Sequence, residues 1–493
     1  MKILLVYPQY IYHETFDARS PSLSLLYLAS FLERDGHHVR IFNASDGPIT
    51  QVKNGYLYGI SNEEISKAFQ GEDYDLVGIT CSFASRWRFV SEQAALFKKL
   101  WPGTSIVVGG LFPTYEWEYC FRKSKDIDVI VLGEGEGTLT GVAAKLEDGC
   151  SIANACGSVD GIVWRDGEKI NKKDKSGYNE DLNSLPFPAW HLLDLKSFFN
   201  TQRNFYELRP PYFTVLSSRS CPEACSFCNM FITHGRKWRT RSPENFVDEL
   251  EFLMVEFSVN SFFIADDNFS FDLERAKNIC REIIKRNLKI HYNTGNGLNI
   301  KRIDNELIKL MKASGCGSIA LAIESGSERI RNDVYKKKLS TEKIYQVLNW
   351  CYEVGIPSIG FFMVGAPGEN RESVEDTKKL IQDLPLTLCT CSIYTPYPKT
   401  RLYDMCVELG YLKEIDPENE TRVEFVTSML STPDFLPEDV KAWQKEIYFH
   451  FMKHKWPQLL KELFKPNGIV NFSNFSILKR LFHIKGVFAK LKI

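Results

Sequence analysis

The amino-acid sequence predicts an α/β protein made of two successive strand–helix series followed by a mainly helical end. Three observations predict it. Short apolar runs rich in Val, Ile and Leu alternate with helix-period stretches over 1–145. The alternation restarts near Phe213 and supplies six further strand–helix units before residue 405. A turn-rich, Pro-containing stretch separates the two series. Repeated units of this kind build parallel sheets. The expected architecture is an N-terminal doubly wound, Rossmann-like sheet over 1–145, a connector with a β-hairpin over 146–205, a partial (β/α)6 TIM-like barrel over 206–405, and a mainly helical, basic region over 406–493.

Each element follows from its residues. Lys2–Tyr7 is a buried strand, and Ser22–Asp35 a helix with Leu23, Leu26, Tyr27 and Phe31 on one face. Val39–Asn43, Asp75–Cys81, Ser105–Gly109 and Asp128–Leu132 are four more strands, and Arg88–Leu100 is helical. SVDGIVWRDGEKI reads as a hairpin turning at Asp166-Gly167. LNSLPFPAW fits no regular element. The second series has strands at Phe213–Ser217, Ser261–Ala265, Ile290–Thr294, Ser318–Ile323, Ser358–Val364 and Leu388–Tyr394. Its helices include Pro243–Phe257, Leu273–Arg286, Asp304–Ala313, Thr341–Val354 and Ser373–Gln382.

The totals narrow the function classes. With 493 residues, 44% of them hydrophobic, the chain can bury several cores. A net charge of −1 does not suit a nucleic-acid binder. MKILLVYPQY is strand-like and lacks the features of a signal peptide, and no run of 18 apolar residues exists. A cytoplasmic protein is expected, so the thirteen cysteines read as thiols, metal ligands or core residues. Neither a P-loop nor a G-x-G-x-x-G is present, and the carboxylates of Gly133-Glu134-Gly135-Glu136 would repel phosphate.

The chemistry-bearing motif is SRSCPEACSFCNM, a C-x3-C-x2-C formed by Cys221, Cys225 and Cys228. Three thiolates can hold three irons of a cubane and leave the fourth open, and an open metal position is what catalysis needs. The cysteines come after the strand Phe213–Ser217, at the end of a barrel where chemistry resides. The competing reading is half of a zinc site, with His234 six residues on as a further ligand.

With Phe227 before its last cysteine, this motif resembles the signature of the radical S-adenosylmethionine superfamily. FFIADDNF (262–269), GCGSIALAIESGSE (315–328) and GIPSIGFFMVGAPGE (355–369) resemble successive strand ends of that family's barrel. TPYPKTRLY (395–403) resembles its closing segment, with Lys399 where relatives often carry Gly. The resemblance implies a [4Fe-4S] cluster on the three cysteines. Its open iron binds S-adenosyl-L-methionine, and reductive cleavage yields a 5′-deoxyadenosyl radical. It places Phe227, Asp266, Asp267, Asn296, Glu324, Ser325 and Gly365 around the cosubstrate. Plainer readings stand beside these: a cap or ion pair for the two Asp, a Gly-Asn-Gly turn for Asn296, a helix cap for Ser325. Cys389 and Cys391 share a strand face and read as core.

Residues 1–145 are similar to the cobalamin-binding domain attached to many of these enzymes, through VYPQY, LSLLYLASFLERDGHHV, DLVGITCSF, VVGGLFPT and DVIVLGEGEGT. The similarity implies a corrin over the carboxyl ends of the strands, near Thr80, Ser82, Gly109, Gly110, Gly133 and Glu134. The family's cobalt-ligating Asp-x-His-x-x-Gly is missing: NASDGPIT comes after the second strand and holds no His.

Residues 451–493 carry nine Lys/Arg and one acid, interleaved with Phe475, Ile477, Leu478, Leu481, Phe482 and others. That pattern suits peripheral contact with anionic lipid, or a solvated helical cap on the barrel. The leading expectation is a cobalamin-dependent radical enzyme acting at an unactivated carbon of a small-molecule or lipid-like substrate, most often by methyl transfer. An external electron donor such as flavodoxin or ferredoxin is implied. The alternatives are a cyclase or rearrangement enzyme on an apolar or tetrapyrrole-like substrate, and a non-catalytic iron–sulfur or corrinoid-binding module.

Overall fold

The computed structural model describes residues 1–12, 22–52, 55–202, 204–412 and 427–463, so the greater part of the basic tail lies outside the described residues. The chain forms two compact units. The first holds Met1–Thr201 and Met230–Lys237, and the second holds Gln202–Asn229 and most of the chain from Trp238 onward.

The first unit is organised by a seven-stranded sheet in the order Lys169–Lys173, Ile162–Asp166, Val129–Val131, Ser105–Gly109, Leu76–Thr80, Lys2–Tyr7, His38–Asn43. Its last five strands are parallel. Numbered along the chain, their spatial order is 2-1-3-4-5. It reverses between Lys2–Tyr7 and Leu76–Thr80, and ligands of such sheets bind where the order reverses. Strands with side chains buried on both faces must be covered on both. Helix Trp87–Leu100 packs one layer, with Trp87 and Phe97 fully buried. Helices Leu23–Arg34 and Glu136–Glu147 pack the other.

Two features depart from the sequence expectation. The hairpin at 162–173 is not part of a free connector. Its strand Ile162–Asp166 pairs antiparallel with Val129–Val131 and extends the sheet. Ile162 enters one core layer and Val163 the other, which only a strand inside the sheet can do. The first compact unit therefore includes this hairpin and reaches Thr201. The second feature is a small antiparallel sheet of Tyr10–Tyr12, Gly55–Tyr58 and Ile49–Val52. Its strands are too short to show a period, and tyrosines rather than aliphatic residues carry it, with Tyr10 stacked on Tyr58 at 5.1 Å.

The second unit is a six-stranded parallel sheet whose strands neighbour one another in chain order: Phe213–Val215, Ser261–Ile264, His291–Leu298, Cys316–Glu324, Ser358–Val364 and Leu388–Ile393. This is the expected partial barrel. Caps set its helix starts. Ser242 accepts from Asn245 N ahead of Pro243–Phe257, Asp304 from Leu307 N ahead of Asn305–Ala313, and Ser340 from Lys343 N ahead of Thr341–Val354. An open barrel leaves an edge, and unpaired edges invite aggregation. Helix Pro437–Leu463 covers it: Tyr448 Oη accepts from Cys391 N, and Gln444 Nε2 donates to Cys391 O at 2.6 Å. Cys389 and Cys391 are buried core residues, as their spacing predicts.

Candidate active site

In the second unit the cysteine loop leaves the first barrel strand and is held at three places. Its stem is closed by the pairing of Ser218–Arg219 with Arg239–Thr240. Asp266, at the end of the second strand, accepts from Ser217 N at 2.6 Å, Ser217 Oγ at 2.5 Å and Ser218 Oγ at 2.6 Å. Asp267 accepts from Ser220 N at 3.0 Å. Ser220 precedes Cys221 and sits at φ 75, a strained conformation for a residue with a side chain. Both aspartates thus hold the loop's approach. Asp266, only 3% exposed, is committed to that task rather than aimed at a cosubstrate.

The middle of the loop is tied to the third strand. Glu223 accepts from Lys301 Nζ at 2.5 Å and Asn299 Nδ2 at 2.9 Å. Lys301 draws the Glu223 carboxyl below its ordinary range despite burial. The far side is backed by the fourth strand's loop. Ser226 N donates to Tyr335 O at 3.1 Å, Ser226 Oγ to Val334 O at 2.6 Å, and Phe227 lies edge-on to Tyr335 at 5.5 Å. A single π-turn, Ile330–Val334, delivers Tyr335, and such turns recur at functional sites.

The cysteines suit a cluster. Nine of the thirteen are buried, whereas Cys221, Cys225 and Cys228 are partly exposed together on one loop. Burial raises the thiol pKa of Cys221 and Cys225, and Lys337 opposes this at Cys225. No group of three or more His, Cys, Asp or Glu among the described residues converges to hold one metal ion. His234 is engaged elsewhere, with Nδ1 at 2.7 Å from Glu134.

Glu324 ends the fourth strand at φ 71, with Ser325 N donating to Ile323 O at 3.0 Å across it. This is a γ-turn of the strained kind, storing about 1–3 kcal/mol. It brings Glu324 to Lys337 at 3.0 Å. Burial lowers the Lys337 pKa, but Glu324 and the Cys225 and Cys228 sulfurs outweigh it, so the ammonium is held charged beside the cysteines. Ser325 is fully buried. Its Oγ accepts from Ser327 N at 3.2 Å, a local turn ahead of the π-turn and not a helix cap, and presents no surface to a ligand. Asn296 Nδ2 donates to Ala265 O at 2.7 Å and so joins the third strand's end to the second's. Gly365 (φ +92) gives its N–H to Glu369, and a Cβ there would meet Val440 at 2.5 Å, so helix packing accounts for this glycine. Lys337, Asn268, Tyr335 and Glu369 are site residues the sequence did not single out. Their signals were the Lys336–Lys338 run, the Asn of FFIADDNF and the Glu closing GAPGE.

In the first unit Thr80 and Ser82 stand at the carboxyl end of Leu76–Thr80, beside the reversal of strand order. The two glycines differ. A Cβ on Gly110 (φ +116) would meet Cys81 O at 2.5 Å, so the fold itself requires that glycine. A Cβ on Gly109 would meet nothing closer than Val131 at 3.9 Å, ordinary contact distance, so the fold itself does not require that glycine. Gly133 (φ +69) receives Thr233 O and Tyr178 against its open face, and Glu134 takes His234. Both are explained by internal packing. Missed by the sequence reading is Arg86, ringed by Tyr10, Tyr7 and Phe83 at 4.5, 4.9 and 5.3 Å at the same reversal.

Comparison with known proteins places this geometry. Residues 215–381 match the Radical SAM superfamily and residues 11–143 the B12 binding domain. The chain is 26% identical to a protein of Pyrococcus horikoshii named as an uncharacterised methyltransferase, over 95% of this chain and 96% of that one. It is 26% identical to cytidylyl-2-hydroxyethylphosphonate methyltransferase of Streptomyces wedmorensis, over 88% and 86%. In fold it resembles the radical S-adenosylmethionine methyltransferase TsrM of Kitasatospora setae, solved with cobalamin and a [4Fe-4S] cluster. The TM-score is 0.66 at 17% identity, covering 84% of this chain and 79% of that one. Among the described residues no helix is long and apolar enough to cross a membrane. The chain thus carries a radical SAM superfamily domain at residues 215–381 with a B12 binding domain ahead of it at residues 11–143.

Proposed function

We propose that this chain is a cobalamin-dependent methyltransferase that alkylates an unactivated carbon of a small molecule. The observation that carries the reading is the cysteine loop, tied to the ends of the second, third and fourth barrel strands and carrying three partly exposed thiols. Cys221, Cys225 and Cys228 hold the cluster. The bound cofactors supply reductive cleavage of S-adenosylmethionine and a transferable methyl group. The protein supplies position and charge. Lys337 and Glu324 present a paired cation and anion beside Cys225, suited to the carboxylate and ammonium of an amino acid. Asp267 holds Ser220 next to Cys221, and Asn296 ties the third strand's end to the second's. In the first unit Gly109, a glycine the fold itself does not require, and the polar Thr80 and Ser82 suit a corrin tail entering at the switch point. A flavodoxin- or ferredoxin-type reductant supplies the electron. The composition of 451–493, nine Lys/Arg to one acid with interleaved apolar residues, suits peripheral contact with anionic lipid, which salt-sensitive liposome sedimentation checks.

The test is product analysis after anaerobic reconstitution with iron, sulfide and cobalamin. A methyltransferase forms S-adenosylhomocysteine only when cobalamin is present. Cobalamin-independent 5′-deoxyadenosine without S-adenosylhomocysteine would instead support a cyclase or rearrangement enzyme.

A further inference from the structure

The amide of Asn268 reaches a cysteine sulfur. Its Nδ2 lies 3.2 Å from Cys221 Sγ. The side chain is 2% exposed, and its Oδ1 has no partner among the described residues. Burial of a half-satisfied amide is costly, so the arrangement calls for a compensating interaction. A thiol is a weak acceptor and offers little compensation. An iron-bound thiolate is a strong one, because it carries charge and has no proton of its own. That chemistry also settles which end of the amide faces the sulfur: only the N–H end can bond a thiolate.

The donor is held in place from behind. Asn268 O accepts from Trp238 Nε1 at 3.2 Å and from Phe271 N at 3.4 Å, and Trp238 packs on Phe271 at 5.1 Å. The adjoining Asp267 fixes Ser220, next to Cys221. Donor and acceptor are therefore positioned by one turn, Ala265–Phe271, at the second strand's end.

We infer that Asn268 is a positioning residue that sets the reduction potential of the cluster through Cys221. Hydrogen bonds to cluster sulfurs tune such potentials. The reduced cluster carries one more electron, and its sulfurs accept more strongly. The N–H therefore stabilises the reduced form more than the oxidised one and raises the midpoint. The inference rests on Cys221 being a cluster ligand.

The experiment is EPR-monitored potentiometry on the anaerobically reconstituted full chain, with iron counted in each sample. The proteins are wild type, Asn268→Ala and Asn268→Asp, with Cys221→Ala as control. Both Asn268 variants should retain the iron of the wild type and have lower midpoints. At a fixed potential the reduced-to-oxidised ratio should fall about tenfold, ~59 mV for a one-electron couple. Asn268→Asp, which keeps the shape but aims oxygen at the sulfur, should shift at least as far as Asn268→Ala. Unchanged midpoints overturn the inference. So does a shift in Asn268→Ala alone, which would mean packing. A Cys221→Ala protein with wild-type iron and midpoint would instead remove the cluster assignment itself.

Discussion

Asp266 shows how a side chain can be indispensable to a site without facing the reactants. Its two oxygens accept three hydrogen bonds from Ser217 and Ser218, all buried. Asp266→Ala leaves those donors unsatisfied and should cost about 3 kcal/mol, read by urea unfolding. It should also lower iron retention, since the loop's approach is released. Glu207 and Glu369 carry a pH signature. Burial raises each carboxyl to about 7, against the opposing pull of Ser318 at Glu207 and of the Ala366 and Gly365 N–H groups at Glu369. The folded state thus holds protons that the unfolded chain releases near 4.5. The associated stability is fully present below that pH and is lost as pH rises towards 7, by about 3 kcal/mol per group. Glu207→Gln cannot ionise, so unfolding of the cofactor-free protein at several pH values should show a shallower decline between pH 5 and 8. The three cysteines were legible because their spacing is local. Lys337 and Asn268 were not, because their meaning depends on loops that meet only after separate strands pair.

At the scale of elements, strands and helices of both units were legible to within a residue or two at most ends, since apolar period and caps mark them in the sequence. The exceptions have reasons. The third barrel strand runs on to Leu298 through Gly295 and Gly297, which carry no side-chain pattern. The 162–173 hairpin was seen, but a hairpin's local signal does not reveal which edge it joins. Lys399 is informative in another way. It sits at φ 66 and is exposed, a backbone conformation that glycine adopts without strain. Lys399→Gly should therefore raise stability by roughly 0.5–1 kcal/mol, visible as a higher urea midpoint. Gly365→Ala should do the reverse, because φ +92 and Val440 both exclude a side chain.

At the scale of the whole molecule, the two units offer separate cofactor sites that can be tested separately. Gly109→Ala should leave thermal stability unchanged, since the nearest atom to the new Cβ is 3.9 Å away. It should weaken cobalamin binding about tenfold or more, about 1.4 kcal/mol, measured by equilibrium dialysis. Gly110→Ala should destabilise the fold, because Cys81 O stands in the way. The doubly wound sheet and the partial barrel were both legible from the repeated strand–helix units. The extent of the first unit was not, because its boundary depends on sheet pairing and not on composition.

The claim on which the rest depends is that Cys221, Cys225 and Cys228 hold a radical-generating cluster. Quantifying 5′-deoxyadenosine from reconstituted protein given S-adenosylmethionine and dithionite tests it most directly. Wild type should release it and Cys221→Ala should not. Equal release from both, or none from wild type with its cluster intact, would contradict the account.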